Sequence, residues 1–532
     1  MRVSWLALAV PFLAGAATSE MPARQPADDI DARCEALIGM EITPGTTIVA
    51  ASHVPPSEGG SAPQAGAPPL PPLPGHCLAE GMIDPHQGAD GTQYGIGFAL
   101  ALPDDWNGRF LLQGGGGMNG VVQPPIGPVA AGSNPALARG FAVLSHDSGH
   151  KGAVFDASFT RNQRAALDFA ERAVRKAAER GKPITAHYYG REINHSYMTG
   201  CSTGGREGML AMQRYPELFD GIVIGAPAMR PGFSNFGVEW AAVQFNQAAP
   251  RDADGLPIVS QIFSAADRET ILKGMLDQCD ALDGRADGMI MNVAQCNFQP
   301  ARLQCTASKT DSCLSSPQVQ ALERAFAGAK DAAGYPAYTQ IPYDTGIVNT
   351  DGPIPGYLPN GAPGVFGPAS RALSVDVDAR LQQLRADGNA RLTDTHVWTN
   401  LSTFLGRQGK VMFFHGVSDP WFSAFDTWNY WQRAAEANGD AFTEASRFYM
   451  VPGMMHCAGG NAFDNFDLLA PLVDWVEKGV APASIDAGRE DSPARRPMCP
   501  HPAYAHFEGG DPDSAESYSC RQPAEINTPA PS

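Results

Sequence analysis

The chain has 532 residues, of which 43% are hydrophobic and 18% charged, and it carries a net charge of -18. That length predicts one enlarged domain, or a domain with a sizeable insertion. The acidic balance excludes a nucleic-acid binder, which needs basic patches, and offers no long-range attraction to anionic substrates.

Residues 1–17 predict a signal peptide: Arg2 gives a positive start, Val3 to Leu13 an apolar run, and Ala14-Gly15-Ala16 a small-residue cleavage site. The run is too short to span a bilayer, and no later stretch is long enough. A soluble, secreted or periplasmic protein with no membrane partner is expected. Ten cysteines, an even count, suit an oxidising compartment. Connectivity is not fixed by sequence. Proximity favours Cys34–Cys77, Cys279–Cys296, Cys305–Cys313 and Cys499–Cys520, which leaves Cys201 with Cys457.

Residues 55–75 are rich in Pro and Gly and read as an irregular loop. Strand–helix alternation follows. Strands are predicted over 109–113 and 141–145, and a helix over 162–180 with Gly181 as its stop. A strand over 196–199 runs into a turn, a helix over 205–215 leaves it, and 222–224 is the next strand. The rhythm breaks over 229–395, which reads as irregular and holds four cysteines. It resumes with a strand over 410–414, a helix near 423–437 and a strand over 447–451. The fold class is therefore α/β, with a mostly parallel sheet. A lid (229–395) interrupts a hydrolase core whose parts are 18–228 and 396–532, because candidate catalytic residues lie on both sides of it.

Gly200-Cys201-Ser202-Thr203-Gly204 has the G-x-S-x-G form of a nucleophile elbow, in which a strand-to-helix turn presents the serine hydroxyl. A serine needs a base, normally a histidine held by a carboxylate. Asp419 follows the 410–414 strand and His456 the 447–451 strand, in the order Ser, acid, His that an α/β-hydrolase requires. Read singly, Asp419 is also a turn-forming Asp-Pro and His456 a loop histidine. The oxyanion of acyl transfer needs preorganised N–H donors. Thr203, next after the serine, and Gly116, within Gly114–Gly117, are the candidates, although the glycines also read as a plain turn.

In the lid, Asp280, Asp283 and Asp287 stand close together. Their carboxylates, with the backbone oxygens of Arg285 and Met289, suit a structural Ca²⁺. Two solvated Asp-Gly turns are the other reading.

Cys201-Ser202, Asp419 and His456-Cys457 resemble the arrangement of the tannase and feruloyl esterase family. The similarity runs over nearly the whole mature chain, including Gly114–Gly117, 145–150, 200–205, the Asp-rich loop, 415–419 and 452–457. It implies an α/β-hydrolase core with a large lid, a lid calcium ion, and a disulfide joining Cys201 to Cys457. It implies hydrolysis of small esters of aromatic acids (ferulates, chlorogenate, gallates), including esters carried on a plant polymer. The stretch 418–423 is similar to a bacterial branch that hydrolyses mono(2-hydroxyethyl) terephthalate, in which His415 and Phe422 would border the acyl pocket. That branch grips a free carboxylate with a lid arginine, whereas residues 331–370 contain neither Arg nor Lys. Neutral phenolic-acid esters are therefore expected ahead of terephthalate monoesters. A noncatalytic binding protein on the same fold predicts a damaged triad, and none is visible.

Overall fold

The computed structural model describes residues 30–60, 70–350, 356–359, 369–489 and 492–527. The expected signal peptide and part of the Pro/Gly-rich loop (61–69) lie outside these residues. The centre is a mixed sheet of nine strands: β1 (Thr46–Val54), β2 (His76–Gln87), β3 (Gln93–Pro103), β4 (Arg109–Gln113), β5 (Ala142–His146), β6 (His195–Cys201), β7 (Gly221–Gly225), β8 (Lys410–Gly416) and β9 (Ser446–Val451). Their order is β1-β2-β3-β5-β4-β6-β7-β8-β9. The pairs β1/β2, β2/β3 and β3/β5 are antiparallel, and every later pair is parallel. Strands β5 and β7 are buried along their whole length, as parallel strands covered on both faces must be. The covering clusters include Phe110, Leu144, Met209 and Phe413 in one, and Leu111, Val143, Tyr197 and Leu472 in the other.

Two expectations need correction. The helix after β5 does not stop at Gly181; it runs on to Tyr189 with Pro183 inside and ends at left-handed Gly190. A Cβ on Gly181 would lie 2.3 Å from Leu144 Cδ1, so this glycine permits close helix–sheet packing rather than a stop. The segment 229–395, expected to be irregular, contains five α-helices among its described residues, Pro231–Ala248, Ala265–Cys279, Ser316–Ala327, Val377–Ala386 and Gly388–Thr393, mostly joined by long loops. Phe245, Phe263, Met275, Leu322 and Phe326 give it an apolar cluster of its own. β7 pairs directly with β8, Gly221 opposite Lys410, so the lid leaves the sheet and returns to the neighbouring position.

All ten cysteines are paired: Cys34–Cys77, Cys201–Cys457, Cys279–Cys296, Cys305–Cys313 and Cys499–Cys520. Among the described residues no helix is long and apolar enough to cross a membrane.

Candidate active site

Ser202 sits where β6 ends and the Thr203–Arg214 helix begins, at φ 62° and ψ -120°. A side chain at positive φ is strained, and its neighbours must be small for the turn to close. A Cβ on Gly200 would lie 2.4 Å from the Gly204 carbonyl oxygen, and one on Gly205 would lie 2.2 Å from that of Gly225. Gly204 packs on the Gly114–Gly117 loop in the same way, 2.7 Å from the Gly115 carbonyl oxygen, while Gly208 meets Ile222 and Ile224 of the sheet.

Asp419 and His456 lie on the turns after β8 and β9. The disulfide Cys201–Cys457, with its Cα atoms 6.1 Å apart, holds the segments of Ser202 and His456 together. Asp419 Oδ2 accepts from His456 Nδ1 at 2.6 Å. Its Oδ1 accepts from the backbone N–H groups of Trp421 and Phe422 at 2.9 and 3.0 Å. Burial alone would push this carboxyl up, but His456 and His415 beside it hold it well below the usual carboxylate range. Because a carboxylate only accepts, Nδ1 of neutral His456 carries the proton and Nε2 keeps its lone pair. Nε2 is buried and has no hydrogen-bond partner among the described residues. The rings of Trp421 and Phe422 flank the imidazole at 4.8 and 5.3 Å.

His415 does not border the pocket as expected. It is fully buried, with Nδ1 2.9 Å from Thr427 Oγ1 and Nε2 3.0 Å from the Phe422 carbonyl oxygen. That carbonyl accepts, so Nε2 bears a proton, and it also lies 3.3 Å from Asp419 Oδ2. His415 therefore stands behind the acid. Phe422 does line the cavity beside Ser202.

The candidate oxyanion donors differ in kind. Thr203 opens its helix, so its N–H has no intrahelical acceptor, and its hydroxyl donates to the Gly117 carbonyl. Gly116 faces open space. The loop carrying it is pinned by Glu207, a residue that sequence reading missed. Glu207 is buried and accepts from Gly115 N–H at 2.8 Å, Ser148 Oγ at 3.1 Å and Asn119 Nδ2 at 3.2 Å.

The cavity beside Ser202 has a volume of about 260 Å³. Met118, Phe155, Phe169, Leu392, Trp421 and Phe422 supply apolar walls, and Thr160, Asn235, Asn389 and Thr393 supply uncharged polar groups. Its one charged lining residue among those described is Arg206, whose Nη1 and Nη2 donate to the carbonyls of Ala170 and Phe169. The short lid helix presents Asn389, Ala390, Leu392 and Thr393 to the cavity, which at 100° per residue turns Arg391 to the opposite side.

In the Asp-rich lid loop, Asp280 accepts from Asp287 N–H and Gly288 N–H, and Asp283 from Arg285 N–H and Met291 N–H. Asp287 pairs with Arg496 at 3.2 Å and Arg285 at 3.4 Å. Burial, with smaller contributions from Asp287 and Asp280 nearby, pushes the Asp283 carboxyl up to about 7. Among the described residues no three such side chains converge into a ready metal cage.

The sequence profile described as Tannase and feruloyl esterase matches residues 77–365 and 371–521. Mono(2-hydroxyethyl) terephthalate hydrolase of Piscinibacter sakaiensis is 36% identical over 516 residues, covering 85% of each chain. A probable feruloyl esterase B-2 of Aspergillus flavus is 32% identical over 426 residues, covering 74% of this chain and 77% of its own. The crystal structure of feruloyl esterase B from Aspergillus oryzae superposes with a TM-score of 0.74 at 24% identity, over 92% of this chain and all of that one, a likeness of fold. The chain belongs to the tannase and feruloyl esterase family, and it is a carboxylic ester hydrolase with an α/β-hydrolase fold.

Proposed function

We propose that the chain is a secreted serine esterase acting on neutral esters of aromatic acids, such as feruloyl, chlorogenate or galloyl esters. Ser202 attacks the ester carbonyl while His456 Nε2 takes its proton and Asp419 holds the imidazole. The N–H groups of Thr203 and Gly116 receive the oxyanion. His456 then gives the proton to the departing alcohol. Water repeats the sequence on the acyl-enzyme and frees the acid. The observation that carries the substrate class is the cavity: aromatic walls accept a flat ring, and the one charged lining residue among those described is already bound to backbone carbonyls. A carboxylate entering such a cavity loses its water without gaining an uncommitted cation among the described lining residues.

The relative from Piscinibacter sakaiensis supports a second reading, a terephthalate monoesterase. Part of the lid where that reading looks for its cation (351–355 and 360–368) lies outside the described residues. Rates on methyl ferulate, methyl gallate, chlorogenate and mono(2-hydroxyethyl) terephthalate decide between the two. The first reading predicts higher kcat/KM on the neutral esters, and the reverse order overturns it. Asp280, Asp283 and Asp287, with the carbonyls of Arg285 and Met289, would hold a structural Ca²⁺ that neutralises the lid loop and takes no part in the chemistry. The signal-like pattern of residues 1–17 and the five disulfides support secretion.

A further inference from the structure

Asp344 is a lid residue with no accessible surface, and no basic side chain pairs with it among the described residues. Burying a carboxyl without a cation costs folding free energy. Its partners here are the two catalytic turns. Asp344 Oδ2 accepts from Ser418 Oγ at 2.7 Å and from Gly453 N–H at 2.6 Å. Ser418 precedes Asp419, and Gly453 lies three residues before His456. The contact is closed from the other side as well, since Gly346 N–H donates to Ser418 Oγ at 2.9 Å. The fit leaves no slack. A Cβ on Gly346 would lie 2.7 Å from Ser418 Cβ and 2.9 Å from the Gly453 carbonyl oxygen, and one on left-handed Gly453 would lie 1.9 Å from that of Asn461. Only one direct backbone hydrogen bond, Ser418 N–H to the Met454 carbonyl at 3.0 Å, otherwise joins residues 418–419 to residues 452–456.

We infer that Asp344 is a positioning residue, a lid carboxyl that ties the acid turn to the histidine turn and thereby sets the Asp419–His456 alignment. This rests on the proposed roles of Ser202, Asp419 and His456. It acts through geometry: one oxygen receives both turns and adds a side-chain tie to the Ser418 N–H to Met454 carbonyl bond between them. Removing that oxygen frees the turns to move relative to each other. The alignment for proton transfer then degrades, while most of the cavity wall, drawn from segments other than these two turns (Trp421 and Phe422 excepted), stays as it is.

The test compares kcat and KM of purified Asp344→Ala, Asp344→Asn and Asp267→Ala with wild type on methyl ferulate, well below each melting temperature. Misplacement of about 1 Å costs on the order of 100-fold, so Asp344→Ala should lose 10- to roughly 100-fold in kcat with KM little changed. Asp344→Asn keeps an acceptor oxygen for both donors and should restore kcat to near wild type. Asp267, a buried lid carboxylate bound to Lys309 and Gln318, reports plain lid destabilisation. Asp267→Ala should lower the melting temperature and leave kcat unchanged. Wild-type kcat in Asp344→Ala, equal losses in the Ala and Asn variants, or a matching loss in Asp267→Ala each overturn the inference. If Asp344→Ala does not fold, Ser418→Ala removes the hydroxyl link alone, and an unchanged kcat there overturns it too. Ser202→Ala in the same assay separates the two failures: retained activity in that variant refutes the triad, whereas an inactive Ser202→Ala beside a fully active Asp344→Ala refutes only the positioning role.

Discussion

Replacing Asp419 by asparagine changes one atom, and the hydrogen bonds dictate where it goes. Oδ1 receives two backbone N–H groups, from Trp421 and Phe422, so the amide must keep its oxygen there. The amide nitrogen then occupies the place of Oδ2, facing His456 Nδ1 at 2.6 Å and His415 Nε2 at 3.3 Å. His415 cannot yield, because its Nε2 proton is held by the Phe422 carbonyl. His456 must therefore turn Nδ1 into an acceptor, which puts its proton on Nε2 and removes the base. Loss of the correct tautomer lowers kcat by about 10⁴-fold in a Ser-His-Asp system, or about 5.4 kcal/mol at 1.36 kcal/mol per decade. The cavity is untouched, so KM should change little. Steady-state kinetics on methyl ferulate near neutral pH measure both constants. A kcat within tenfold of wild type would refute the tautomer argument, and a large rise in KM with kcat preserved would place Asp419 in substrate binding instead.

Gly205→Ala drives a methyl group against the Gly225 carbonyl, 2.2 Å away, and should cost about 1–3 kcal/mol by overpacking, read as a lower urea midpoint with reduced kcat. Burial pushes the Asp147 carboxyl up from 3.8 to about 7. A raised carboxyl contributes stability that is fully present below about pH 4 and lost as pH rises through the folded value. Asp147→Asn keeps an acceptor for Gly97 and Gly149 N–H, so it should gain on wild type between pH 4 and 7, and the same difference in urea midpoint at pH 4.5 and pH 8 would refute this. If the Asp-rich loop holds Ca²⁺ in the native state only, a chelator should lower the melting temperature and added Ca²⁺ should restore it; no change in either direction removes the calcium assignment.

The triad candidates were legible because their positions follow from strand ends. Asp419 and His456 each come just after an apolar strand, and the elbow glycines mark the third turn. Strands β4 to β9 were legible as short apolar runs, as buried parallel strands leave them, whereas the antiparallel β1, β2 and β3 were not read from the sequence. Residues that act across the fold were not legible. Asp344 reads as one more loop aspartate, since the turns it joins lie 74 and 109 residues away. Glu207 reads as a helix-surface residue until the Gly114–Gly117 loop is laid against it. His415, expected to border the acyl pocket, lies behind Asp419, because a histidine near the end of β8 does not reveal from sequence which way its ring points. The lid helices were hidden by a Gly-, Pro- and Asp-rich composition, yet a local signal was present. Ser264 with Asp267, and Ser315 with Gln318, form capping boxes that announce two of those helices.

In the proposed mechanism Ser202 Oγ is the atom that receives the acyl group. Rapid quenching of the enzyme with a p-nitrophenyl ester, followed by proteolysis and mass spectrometry, tests this directly. An acyl adduct should be confined to the peptide containing Ser202 and absent from Ser202→Ala, which should also be inactive. An adduct on another residue, or full turnover by Ser202→Ala, would contradict the mechanism.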